Sequence, residues 1–406
     1  MRHADISKRA FGRLSALVAT ACTALALWGA PAQAATPGWP QPGYDGGLSG
    51  YTPQAAPITA VNATTLSPAW SVAVPNLSAE GAVVYKGLVI TATSGGSAGH
   101  VTAYRLTDGS VAWAKAVTDS GFVIGDEGRV FASIVDGPST SPFTGVVALD
   151  PATGGEFWRR STGELAPLRA DGGRIFTLRD QGTNTVAIGE RGGHIKWRAL
   201  DTRVWAAAGG MVIGARVGTT RVTGLDGLTR DAYWDALDRV PVGSDPTHYN
   251  ELAMSGGLLF DMVGRGACTC RLSVYDARTG AARWDATPYS YPTDGVAAGA
   301  GRVYEVGQRQ GGFPNHLFAL DGTGQIVWMT PRDLVSPVKP TITRHLVFAV
   351  DLAGTGLVAF NVSNGHVAAQ WPNLVPAGML RAPMAVGDSL VVVGSGRILV
   401  LRLPAA

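Results

Sequence analysis

The chain has few cysteines, little charge and no long helix-forming runs. Three cysteines stand among 406 residues, at positions 22, 268 and 270. The last two are too few for a zinc site on their own. Charged residues make up 16% of the chain, and stretches rich in Glu, Lys and Ala are missing from its body. There is no His-Glu-x-x-His, no Gly-x-Ser-x-Gly and no Walker loop, so three familiar catalytic signatures are absent. Past the N-terminal region no stretch is long and apolar enough to cross a bilayer. What is abundant is glycine, with 54 residues. A glycine-rich, valine-rich, weakly charged chain reads as all-β with many tight turns.

The first residues carry Arg2, Lys8, Arg9 and Arg13 ahead of the apolar run LSALVATACTALALWGA. Ala32 and Ala34 then give the small-x-small pattern of a secretory signal, with cleavage expected after Ala34. The alternatives are a membrane anchor, for which the run is marginal, and a lipoprotein attached through Cys22. The residues before that cysteine, Ala19-Thr20-Ala21, make a poor lipobox. The whole chain has 33 Lys/Arg and 30 Asp/Glu, and residues 1–34 hold four of the former and one of the latter, Asp5. The mature chain is therefore balanced at 29 of each sign. Balance argues against nucleic acid or an anionic membrane as a partner. The expectation is a secreted or periplasmic monomer with no stable membrane insertion after cleavage. Its divisions are a signal at 1–34, a lead-in at 35–62 and one large domain at 63–406.

Seven segments align on a turn and a tryptophan. They are VTAYRLTDGSVAW (101–113), VVALDPATGGEFW (146–158), TVAIGERGGHIKW (185–197), VTGLDGLTRDAYW (222–234), LSVYDARTGAARW (272–284), LFALDGTGQIVW (317–328) and LVAFNVSNGHVAAQW (357–371). In five of them Gly sits four residues before Trp; position 230 is Arg, and before Trp371 the gap is six. An apolar strand runs into Asp-x-x-Thr-Gly, where Asp bonds its own backbone ahead and Gly supplies positive φ. A second strand follows, so each segment is a hairpin. Another hairpin precedes each one, as in GAVVYKGLVITATS (81–94). Four short antiparallel strands at a period of 37 to 50 residues, without helices, read as a β-propeller. Trp-Asp occurs only at 234–235 and 284–285, and kelch glycine pairs are missing, which sets aside those two propeller types.

The repeat resembles the tryptophan-docking motif of the PQQ-like (quinoprotein-type) β-propeller family. WPQPGYDGGLSGYTPQAAPITAVNATTLSPAW (39–70) is similar to that family's N-terminal lead-in. The resemblance implies eight blades, with a structural ladder of Trp70, Trp113, Trp158, Trp197, Trp234, Trp284, Trp328 and Trp371 packed between blades against turn glycines. The final unit, 382–406, has three strands and no tryptophan. The expected fourth strand is Leu66–Val72, paired with Ile398–Leu403 to close the ring and remove open edges.

The resembled family holds PQQ-dependent dehydrogenases and non-catalytic scaffolds, among them a periplasmic lipoprotein that helps assemble outer-membrane barrels. The enzymes need Ca²⁺ held by converging oxygens, an Asp base, an Arg or Lys over the quinone and an aromatic floor. The loops here are short and no concentrated Asp/Glu/Asn set is visible. No catalytic, cofactor or metal residue is assigned. His100, His194 and His366 read as solvated structural histidines beside turns.

A binding face is expected where the loops joining blades and joining second to third strands lie together. The longest inter-blade connection, 235–253, carries His248, Tyr249 and Asn250. The next ones carry Tyr289, Tyr291 and Asp294, then Phe313 and Asn315. Aromatic rings there suit a protein or sugar. Tolerated insertions and ordinary packing are the plainer alternatives. Cys268 and Cys270 are a candidate loop-tightening disulfide, against free thiols or a redox pair. The leading expectation is an exported non-catalytic propeller that binds a protein or envelope component. The alternatives are a small-ligand or glycan binder, and a minimal dehydrogenase using PQQ with calcium.

Overall fold

The computed structural model of the chain describes residues 38–55, 57–94, 99–138, 140–219, 221–236, 252–264, 270–289, 295–308, 315–331, 334–336, 338–375 and 377–405. It is an eight-bladed β-propeller of four-stranded antiparallel blades. The innermost strands, in chain order, are Leu77–Tyr85, Asp119–Asp126, Arg169–Asp171, Thr202–Ala208, Leu252–Ser255, Val296–Gly299, Thr341–Thr343 and Met384–Val386. Each lies against the next, and the eighth returns to the first.

Burial follows from this stacking. The two middle strands of a blade are covered on both faces, so they are continuous apolar runs: RVFASIVD and FTGVVAL in the second blade, SLVVVG and RILVLR in the eighth. The outermost strand, such as Glu156–Ser161, keeps a partial alternation of exposed and half-buried residues. Eight hydrophobic clusters result, one between each pair of neighbouring blades. The core is therefore a ring of seams.

Seven of the eight seams are clamped by the same device. In every blade the outermost strand carries a bulge next to the tryptophan position, as between Ala103/Tyr104 opposite Trp113/Val111. The bulge turns the indole onto the following blade. The Nε1–H of Trp70, Trp113, Trp158, Trp197, Trp234 and Trp328 donates to the carbonyls of Leu106, Pro151, Glu190, Gly227, Ala277 and Val362, at 2.7 to 3.0 Å. Each acceptor immediately follows the first residue of the turn. The indole ring covers a turn glycine; a Cβ added to Gly109 would stand 2.7 Å from the ring of Trp70, and one on Gly324 would stand 2.7 Å from Trp284. Where glycine is replaced, Arg230 takes the same left-handed backbone, φ +74°. Its guanidinium donates to the Arg198 carbonyl at 2.9 Å.

Trp371 departs from the ladder. Register pairs Ala359 with Ala369, so alanine occupies the place that tryptophan takes in the other seven blades. Trp371 lies two residues on, opposite Leu357, with its ring 6.4 Å from Phe348. The topology supplies the reason. The turn that would receive a tryptophan from the seventh blade is the third-to-fourth-strand turn of the eighth blade. There the fourth strand comes from the other end of the chain, and no such turn exists. Ala55 and Ile58 of the lead-in, with Ala63 and Leu66 of the one-turn 3₁₀ helix Ala63–Thr65 and its flank, fill that seam instead.

That fourth strand is Ser67–Ala73. It pairs antiparallel with Arg397–Arg402, from Ser67 opposite Arg402 to Ala73 opposite Arg397. Leu66 stays just outside the ladder. Trp70, on this strand, docks on Gly109 of the first blade, so the closing strand is joined to both sides of the gap.

Candidate functional site

The lead-in defines the centre of the molecule. Residues 39–52 circle the axis and touch the blades in order. Trp39 exchanges main-chain bonds with Val84 of the first blade, and the Pro40 carbonyl accepts from Gly125 N of the second. The Gln41 side chain holds both N and O of Ala170 in the third, at 2.8 and 3.0 Å. The carbonyls of Gly46, Gly47, Ser49 and Gly50 accept from Ala207, Met254, Ala298 and Ile342 of the fourth to seventh blades. Tyr51–Thr52 then runs parallel beside Thr341–Thr343. Main chain this close to strands has no room for side chains; a Cβ on Gly46 would lie 2.3 Å from the Ala207 carbonyl oxygen.

Beside this segment lies an axial cavity of about 120 Å³, walled by Trp39, Glu80, Lys339, Leu380 and Arg381. Lys339 and Arg381 precede the innermost strands of the seventh and eighth blades, and Glu80 lies within that of the first. The Lys339 ammonium donates to the Leu48 carbonyl and, at 3.3 Å, to that of Leu252. Burial pushes its pKa down to about 7. Arg381 is half-buried with its Nε enclosed, and burial lowers its pKa to about 10. Its Nη2 donates to the Ala82 carbonyl and reaches Met384 Sδ at 3.0 Å, while its Nε has no partner. Glu80 lies 3.6 Å from the buried Arg169 guanidinium. Asp45 is committed to Ser49, whose N–H and Oγ–H donate at 2.9 and 2.7 Å. Burial raises its pKa.

A second group of carboxylates lies at the turns of the second and third blades. Burial first, and then the Asp126 charge beside it, push Glu190 up to about 8. Both Glu190 carboxyl oxygens are buried without a hydrogen-bond partner, and burial also raises the pKa of Asp126. Another buried acid, Glu305, has an Oε2 without a partner and is pushed up to about 8 by burial.

The residues singled out from sequence are distributed unevenly. His248, Tyr249, Asn250, Cys268, Tyr291, Asp294 and Phe313 lie outside the described residues. Cys270 begins the strand Cys270–Asp276 and pairs with both Gly264 and Tyr289. Tyr289 thus ends a strand, Ala282–Tyr289, and is not part of a loop. Asn315 is likewise not on a surface patch. It opens the strand Asn315–Leu320, is buried, and donates from Nδ2 to the Val335 carbonyl at 3.3 Å. His100, His194 and His366 are exposed. Sequence reasoning missed Glu80, Lys339 and Arg381; the available signal was a lone charge just before or within an apolar inner strand.

The axial donor set does not fit a calcium–quinone centre. Such a centre needs several converging oxygens. The cavity wall presents Glu80 beside two cations, and no group of three or more His, Cys, Asp or Glu able to hold a metal occurs among the described residues.

A family model described as outer membrane protein assembly factor BamB matches residues 143–270 and 269–405. No curated protein gives a match. Among solved structures, the quinohemoprotein alcohol dehydrogenase of Comamonas testosteroni superposes with a TM-score of 0.66 at 16% identity, over 91% of this chain and 82% of that one. A europium-containing methanol dehydrogenase gives 0.66 at 13% identity, over 90% and 98%. BamB from Moraxella catarrhalis gives 0.59 at 16% identity, over 83% and 99%. At these identities the structural likeness is one of fold.

Proposed function

Because this chain belongs to the PQQ-like β-propeller family of the assembly factor BamB, we propose that it is an exported, non-catalytic propeller that binds a protein of the cell envelope through its loop face. The observation that carries the reading is the path of the lead-in. Hydrogen bonds to seven blades, six from main chain and one from the Gln41 side chain, run the segment around the axis, where a quinoprotein enzyme would need a cofactor cradle. The donor set beside it lacks the oxygens that calcium takes. Function then rests on surface, and long connections such as 235–253 are where binding residues concentrate. Export is supported by the basic, apolar and Ala-x-Ala succession of residues 1–34.

The test is photo-crosslinking in the producing cell. Benzoylphenylalanine replaces Tyr249 or Tyr291 in one pair of variants, and Thr153, on a third-to-fourth-strand turn, in a control. The expected outcome is a discrete protein adduct from the loop positions and none from the control. No adduct, equal adducts from both, or adducts only to glycan would overturn the reading.

A further inference from the structure

Two half-buried cations line the axial cavity without a carboxylate in direct contact, although Asp45 acts on Lys339 and Glu80 on both from farther off. Among the described residues no carboxylate lies within ion-pair distance of Lys339 or Arg381. Glu80, the acid in the wall, is turned to Arg169 at 3.6 Å, and Asp45 is held by Ser49. Arg169 is itself committed to the carbonyls of Trp205 and Leu168 at 3.0 and 2.9 Å. Three cations thus face two carboxylates. Taking even part of an unpaired charge out of water is unfavourable, so the arrangement calls for a compensating group. The cavity provides the space, since about 120 Å³ holds several water-sized groups. Arg381 Nε has no partner to give up. The apolar walls, Trp39 and Leu380, lower the local polarity and strengthen a charge-assisted bond formed beside them.

We propose that the axial cavity is a binding site for one small anionic group, a carboxylate or a phosphate, held between Lys339 and Arg381 and backed by the lead-in. The anion receives hydrogen bonds from Arg381 Nε and from the remaining Lys339 proton. Lys339 also donates to the Leu48 carbonyl of the lead-in, so an anion that keeps it charged strengthens the grip on that segment. The site uses none of the loop-face residues, so it stands or falls separately from the envelope-binding function.

Isothermal titration of the mature chain at pH 6.5 and constant ionic strength tests this, with inorganic phosphate in one arm and citrate in the other. Saturable one-site binding of either anion is the expected result, weakened at least tenfold in Lys339→Met and in Arg381→Gln. Phosphate alone identifies a phosphate group, citrate alone a carboxylate, and both together a shared anion site. Deprotonation of Lys339 as pH rises through about 7 predicts weaker binding at pH 8.5. No saturable heat for the wild-type chain up to millimolar anion overturns the proposal, whether or not the variants fold. Binding that both folded variants leave unchanged overturns it as well.

Discussion

Gly87 and Gly109 share the same backbone conformation, φ +74°, and differ in what faces them. Gly87 has nothing near the position of a Cβ, while Gly109 has the ring of Trp70 at 2.7 Å. Replacing each with alanine separates the cost of the conformation from the cost of undocking a tryptophan. Gly87→Ala should lose about 1 kcal/mol, the price of a left-handed residue. Gly109→Ala should lose about 2 kcal/mol more by overpacking the seam, read as the difference in chemical-denaturation free energies. Equal losses would remove the clamp from the account. A second residue-scale case is Glu305, wholly buried with its pKa raised from 4.5 to about 8. Between these values the unfolded chain releases a proton that the folded one retains, so stability falls as pH rises from about 4.5 to 8 and levels off above. Glu305→Met should flatten that slope and stabilise the protein by about 2 kcal/mol at pH 8. Melting curves at pH 5 and pH 9 check it: the gain should be larger at pH 9.

At the scale of elements, the decisive piece is the segment from Trp39 to Ala73. Its last strand closes the ring, and its first residues circle the axis. A chain lacking residues 36–75 leaves Arg397–Arg402 as an open, apolar edge and the seam between the seventh and eighth blades unfilled. It should melt well below the mature protein or aggregate on purification; an unchanged melting temperature would contradict the closure. Much of this was legible in the sequence. The final unit lacked a fourth strand, and LSPAWSV was a strand without a blade. The lead-in's path around the axis was not legible. GYDGGLSG has no periodicity, and its bonds are main-chain bonds to strands far away in sequence. Gly46-Gly47 was the signal, since only a residue without a side chain fits there. Trp371 was misplaced because its spacing looked like drift, when it marks the one seam that has no turn to dock on.

On the scale of the whole molecule, the repeat specified the fold more fully than the function. Tryptophan and turn recur because each blade must clamp the next, so their pattern shows blade count and order. Binding residues obey no such recurrence. Lys339 and Arg381 of the last two blades meet Glu80 of the first at the axis, and each looks like an isolated charge in its own segment. The same fold is found in quinoprotein dehydrogenases and in BamB, so the fold alone does not decide the function. The distinction comes to one measurement. The mature protein, incubated with PQQ and Ca²⁺, is assayed for alcohol- and sugar-dependent dye reduction. The account predicts a rate indistinguishable from that of PQQ and Ca²⁺ without protein; saturable, substrate-dependent reduction would contradict it.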